Sequence, residues 1–121
     1  MGPYHFIDPR SPGLVSPREG GDFARLFLAL GPGQWDAVAK AWAAGNVGAL
    51  GREVHKLKGS LAIVGARKAL EHSALLEAAC AIGTPFGMIA SFRSLADEFA
   101  GVVAELERFA ADHPPALGSA A

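Results

Sequence analysis

The last third of this chain most narrowly limits its fold. Met88, Phe92, Leu95, Phe99, Val102, Leu106 and Phe109 recur at alternating steps of four and three. That is the apolar seam of a long helix lying nearly parallel or antiparallel to its neighbours. Ile89, Ala96 and Val103 widen the seam towards a bundle face. A stripe of this length needs other amphipathic helices to cover it.

The rest of the chain supplies them. Phe23, Leu26, Phe27 and Leu30 mark an apolar face, Gly31-Pro32-Gly33 interrupts, and Trp35, Val38 and Trp42 resume it. This pattern predicts either two helices or one helix with a sharp kink. Gly45-Asn46 reads as a C-terminal glycine followed by an N-cap. A helix over about 47–64 then carries Leu50, Val54, Leu57 and Leu61 on one side, and Gly65 ends or bends it. The next helix, about 66–81, contributes Ala69, Leu70, Ser73, Leu76 and Cys80. Gly83-Thr84-Pro85 reads as a stop, an N-cap and a first helical proline, and His113-Pro114-Pro115 ends the last helix. No segment alternates with the period of a strand.

The expected fold is therefore all-α: an antiparallel (up-down) four-helix bundle over 22–112, with an additional short N-terminal helix or arm. Residues 1–21, rich in Pro and Gly, read as an irregular arm or linker, which Tyr4, Phe6, Ile7 and Leu14 can pin to the body. Ser16-Pro17-Arg18-Glu19 has the form of a capping box, but Gly20 and Gly21 follow it. Residues 113–121 read as a flexible tail.

Composition excludes several functions. A net charge of -1 gives no basic surface for nucleic acid. A single cysteine, Cys80, allows no internal disulfide. No apolar run reaches the roughly 18 residues of a membrane span, and no secretory signal is apparent. A cytoplasmic monomer that touches no membrane is expected. No His-x-x-x-His or Glu-x-x-His pair points to a metal, so no cofactor is expected in this domain.

The central helix carries the candidate site. At about 100° per residue, His55 points roughly 130° away from the Leu50/Val54/Leu57/Leu61 cluster. Gly51, Arg52, Lys58, Gly59 and Ala62 are its neighbours one turn away, and Ile63 borders the same face. Two glycines on an exposed helical face each cost about 1 kcal/mol against alanine. They make sense as clearance for something approaching His55. Ser60 points to a different side and reads as a small packing residue or one bonded back to a carbonyl. Glu77 falls near the apolar arc of its own helix, so it is expected to reach the bundle's end or pair with a cation.

In order, His55, Leu57, Lys58, Gly59, Ser60, Gly65, Leu70 and Leu76-Glu77 make the chain resemble the histidine-containing phosphotransfer (HPt) domains of two-component phosphorelays. The match is close over about 54 to 80. Ala66 stands where the related domains of chemotaxis kinases more often have an aromatic residue, so the resemblance is to the hybrid-kinase or stand-alone type. It implies a four-helix bundle in which His55 accepts the phosphoryl group, Lys58 offsets phosphate charge and Gly59 gives steric clearance. Gly51, Arg52, Ala62 and Ile63 are then expected to meet the partner, with Ser60, Gly65, Leu70 and Glu77 as structural members of the motif. The implied partners are response-regulator receiver domains, and a hybrid sensor histidine kinase as a further candidate, with Mg²⁺ brought by the receiver. The chain would be a phosphoryl carrier with no kinase domain of its own. The alternative is a helical docking module that regulates a receiver or kinase without carrying phosphate.

Overall fold

A computed structural model describes residues 4–16 and 19–115. Four helices follow one another: α1 (Gly20–Ala43), α2 (Val47–Ile63), α3 (Arg67–Ile82) and α4 (Pro85–Asp112). They close a ring in which α2 packs on α1 and α3, and α4 packs on α3 and α1. There is no strand among the described residues.

The turns follow from local chemistry. Gly45, Gly65 and Gly83 have φ of 65°, 67° and 81°, the left-handed conformation that glycine reaches without a Cβ clash. The Asn46 side chain accepts the Ala49 N–H at 3.0 Å and caps α2. Pro85 opens α4, but Thr84, expected as its N-cap, makes no side-chain capping bond. Instead its Oγ1 lies 3.0 Å from where a Cβ on Gly87 would stand.

The core is lined by the predicted seam. Leu95, Phe99, Val102, Leu106 and Phe109 of α4 are buried against Leu50, Val54, Leu57 and Leu61 of α2 and Leu76 of α3. Met88 and Phe92 are partly buried, and Ile89 is 41% exposed. α1 runs unbroken through Gly31-Pro32-Gly33, with Pro32 inside it. Its inward face differs from the expected one: Leu26 and Leu30 are exposed, while Ala24, Phe27, Gly31, Val38 and Ala41 are buried. The small residues decide this. The Phe27 ring lies over Gly31, where a Cβ would come within 2.8 Å of it, and so reaches Phe99 of α4 at 6.1 Å. Trp35 stacks on Phe92 and Phe99, and Trp42 on Phe92 at 4.3 Å between centroids.

Residues 4–16 pack on this ring without forming a helix. Ile7 and Leu14 are buried in the core. The Asp8 N–H donates to the Val64 carbonyl, and the Gly13 N–H to that of Ile63. From α4 the buried Glu105 carboxylate accepts the N–H groups of His5, Phe6 and Ile7 at 2.6, 2.7 and 3.2 Å. Of the Ser16–Glu19 box, the Ser16 hydroxyl accepts the Glu19 N–H at 3.3 Å, and the helix begins at Gly20. Pro17 and Arg18 lie outside the described residues, as do 116–121 of the expected tail. His113, at the head of that tail, stacks on Phe109 at 4.0 Å, and its carbonyl accepts a bond from Arg25.

Candidate functional site

Burial of Leu50, Val54, Leu57 and Leu61 fixes the rotation of α2 about its axis. His55 is thereby turned outward, with its side chain 72% exposed. From the adjacent helix α3, Glu77 reaches across and bridges two groups. One carboxylate oxygen lies 2.9 Å from His55 Nδ1, and the other accepts a bond from Lys58 Nζ at 2.8 Å. The Lys58 hydrogen bond holds the Glu77 carboxyl below its ordinary range, against partial burial, and the bond with His55 acts in the same direction as Lys58. Glu77 is therefore ionised at neutral pH and can only accept hydrogen bonds. Nδ1 must then donate, so in the neutral imidazole the lone pair lies on Nε2, on the side of the ring away from Glu77.

Glu77 thus pairs with a cation, as its place near the apolar arc predicts. It also does more, because it orients the imidazole. Lys58 is committed to Glu77 in this state, not directed at the ring. Gly59 is exposed, and a Cβ built on it would meet nothing within 4 Å, so the space beside His55 is open. A Cβ on Gly51 would make only ordinary contact, 3.7 Å, with Cys80 of α3. A groove of about 610 Å³ runs along the α2–α3 seam beside His55, with Gly51, Arg52 and Glu77 on its walls.

The remaining predicted residues are placed elsewhere. Ala62 and Ile63 are exposed towards the C-terminal end of α2. A methyl on Gly13 would run into the Ile63 side chain, so the N-terminal segment already touches Ile63. Ser60 donates to the Gln34 side chain of α1 at 3.0 Å. Gly65 turns the chain under Asp8, whose Cβ would lie 2.7 Å from a Cβ there. Leu70 is half-buried against the core. Val47, Gly48, Cys80 and Ala81 also line the groove and were not singled out by the sequence. For Cys80 a signal existed, since it lies one turn beyond Glu77 on the same helix.

The model of the Hpt domain family matches residues 22–112 of the 121. The chain belongs to the Hpt domain family. Searches of curated proteins and of solved structures gave no significant match. Hpt domains are helical phosphotransfer modules of phosphorelays that interact with receiver domains, and neither kinases nor complete enzymes. In this Hpt domain no helix among the described residues is long and apolar enough to cross a membrane.

Proposed function

We propose that this Hpt domain carries a phosphoryl group on His55, taking it from the aspartyl phosphate of one receiver and passing it to another. The observation that carries the reading is an exposed imidazole whose Nδ1 is held by a carboxylate, leaving Nε2 free on an open face. In the forward step the Nε2 lone pair attacks phosphorus, the bond from phosphorus to the aspartyl oxygen breaks, and the aspartate leaves as a carboxylate. Nδ1 keeps its proton, so positive charge develops on the ring as the Nε2–P bond forms. Glu77 faces that charge across a charge-assisted hydrogen bond. Transfer onward is the reverse with a second aspartate.

Clearance at Gly59 and Gly51 lets a receiver bring its aspartate into near-attack distance of Nε2. Lys58, one turn from His55, offsets phosphate charge once the phosphoryl group is in place. Arg52 on the groove wall suits the receiver's acidic pocket, which brings the Mg²⁺. The up-down antiparallel helix order is part of the same reading. Gln34 of α1 meets Ser60 of α2, while Glu77 and Cys80 of α3 meet His55 and Gly51 of α2, registers that run in opposite chain directions. The cytoplasm, where receivers reside, is the setting this implies.

The test is phosphoryl labelling. Incubation with a phosphorylated receiver is expected to label the chain with acid-labile, alkali-stable phosphate, and His55→Gln to abolish it. Labelling that survives the substitution overturns the assignment. A chain that still regulates its partner as His55→Gln is the docking module instead.

A further inference from the structure

Beyond the reactive face itself, the molecule has a second unexplained feature at one end of the bundle. Ile82 and Phe86, either side of the α3–α4 turn, are 75% and 89% exposed, and Val47 at the start of α2 is 38% exposed. Leu26, Leu30 and Leu75 are exposed elsewhere, but Ile82 and Phe86 flank one turn, and neighbouring apolar side chains mark a contact surface where single ones do not. They are not remote from His55. Gly51 packs at Cys80 and His55 at Glu77, so α2 and α3 run past each other in opposite directions and Val47 comes level with the α3–α4 turn. The groove beside His55 ends at Val47 and Ala81. A second groove of about 310 Å³ shares Val47 with it and is lined on the α4 side by Pro85, Met88 and Ile89.

We infer that the receiver which exchanges phosphate with His55 docks asymmetrically, over the α2–α3 groove and onto the apolar end formed by Val47, Ala81, Ile82 and Phe86. This rests on the carrier reading above and adds the direction in which the partner lies. The size of a working interface supports it. A stable contact covers about 800 Å² per partner, a disc of roughly 16 Å radius, and Val47 is two turns, about 12 Å, from His55. A receiver seated for transfer therefore has to extend well beyond the imidazole. Towards Val47 it meets the groove lined by Gly48, Gly51, Arg52 and Lys56, where Arg52 matches an acidic rim and Lys56 is paired with Glu53 at 3.3 Å. Towards Ile63 it meets the N-terminal segment, where Gly13 is bonded to the Ile63 carbonyl.

The experiment uses the whole chain and a panel of receiver domains phosphorylated with acetyl phosphate and Mg²⁺. The receiver that transfers fastest to the wild-type chain becomes the probe. Ile82→Ser and Phe86→Ser alter exposed side chains outside the groove lining, so the fold tolerates both. Each is expected to raise the KM for the receiver about tenfold. Phosphorylation of His55 by phosphoramidate, a donor too small to dock, is expected to stay unchanged. Leu26→Gln, on the exposed face of α1, is expected to leave both rates as they are. Cys80, half-buried in the groove wall, is expected to react more slowly with N-ethylmaleimide when the unphosphorylated receiver is bound at saturation.

An unchanged KM in both Ile82→Ser and Phe86→Ser overturns the inference and leaves the carrier reading standing, as does the absence of Cys80 protection. Self-association of the chain that Phe86→Ser abolishes, with the receiver KM unmoved, reassigns the patch to a second copy and also overturns it. If His55 accepts phosphate from phosphoramidate but exchanges with no receiver, the relay reading fails and the inference falls with it.

Discussion

Replacing Glu77 by glutamine keeps an oxygen for the Nδ1–H of His55 but removes the charge that faces the ring during transfer. Charge-assisted hydrogen bonds exceed neutral ones by about 1 kcal/mol, so Glu77→Gln is expected to slow phosphoryl transfer about fivefold in single-turnover measurements with a phosphorylated receiver. The same residue sets a pH dependence. Its carboxyl is held below its ordinary value of 4.5 in the folded chain, chiefly by Lys58. The pair thus stabilises the fold above that value, and this contribution disappears as pH falls through the lower folded value. The Tm difference between wild type and Glu77→Gln is expected to be full above the ordinary carboxyl value of 4.5 and to close as pH falls through the lower folded value. It corresponds to no more than ~1 kcal/mol, because both partners are about a third exposed. At Gly59 the open space decides the outcome. Gly59→Gln is expected to gain up to about 1 kcal/mol of helix stability while transfer from a receiver falls, measured as urea midpoint and initial rate. A transfer rate equal to wild type refutes the clearance argument. His55, Lys58 and Gly59 were legible because helical spacing alone puts them on one exposed face. Glu77's bond to Nδ1 was not, since it needs the register of α3 on α2.

At the scale of the element, α1 is where local signals and packing conflict. Pro32 removes one backbone donor and crowds the carbonyl one turn back, a cost of about 3 kcal/mol or more. Against it, Phe27, Trp35 and Trp42 make four ring contacts with Phe92 and Phe99 of α4. At about 0.5–1.5 kcal/mol each beyond their area burial, these contacts are of comparable size, and they sit on both sides of the proline. That balance keeps one helix where the Gly-Pro-Gly signal allowed two. Pro32→Ala is accordingly expected to stabilise the domain by about 1–3 kcal/mol, read as a higher urea midpoint at unchanged slope. The α1 face could not be chosen from residue size. Leu26 and Leu30 are the larger side chains, but only the Ala24 and Gly31 side lets the helix approach closely enough for Phe27 to reach Phe99. In α4 size and spacing agree, and the buried seam is the predicted one from Leu95 to Phe109.

Across the whole molecule the N-terminal segment is bound to residues about 100 positions away, with His5, Phe6 and Ile7 all bonded to Glu105. A glutamine there has one oxygen and an amide that cannot accept, so Glu105→Gln leaves at least one of the three N–H groups without its partner and removes the charge from the bonds that remain. A loss of about 1–3 kcal/mol is expected, seen as a Tm lower by several degrees in the intact chain. An unchanged Tm would mean that residues 4–16 contribute little to stability. Pro and Gly content made this segment read locally as a linker. Several of its constraints sit on other elements: Gly101 leaves room for the Phe6 ring, and Gly65 for Asp8.

Periodicity and turn chemistry by themselves determined α2, α3 and α4, their approximate ends and the exposure of His55, because each depends on residues within a few positions of one another; that α1 stays one helix through Pro32 was settled by packing. Tertiary structure alone decided which face of α1 is buried, what the first segment packs against, and which nitrogen of His55 is free. Those outcomes depend on Glu77, Glu105 and Phe99, which become neighbours of the residues they control only once the helices have packed.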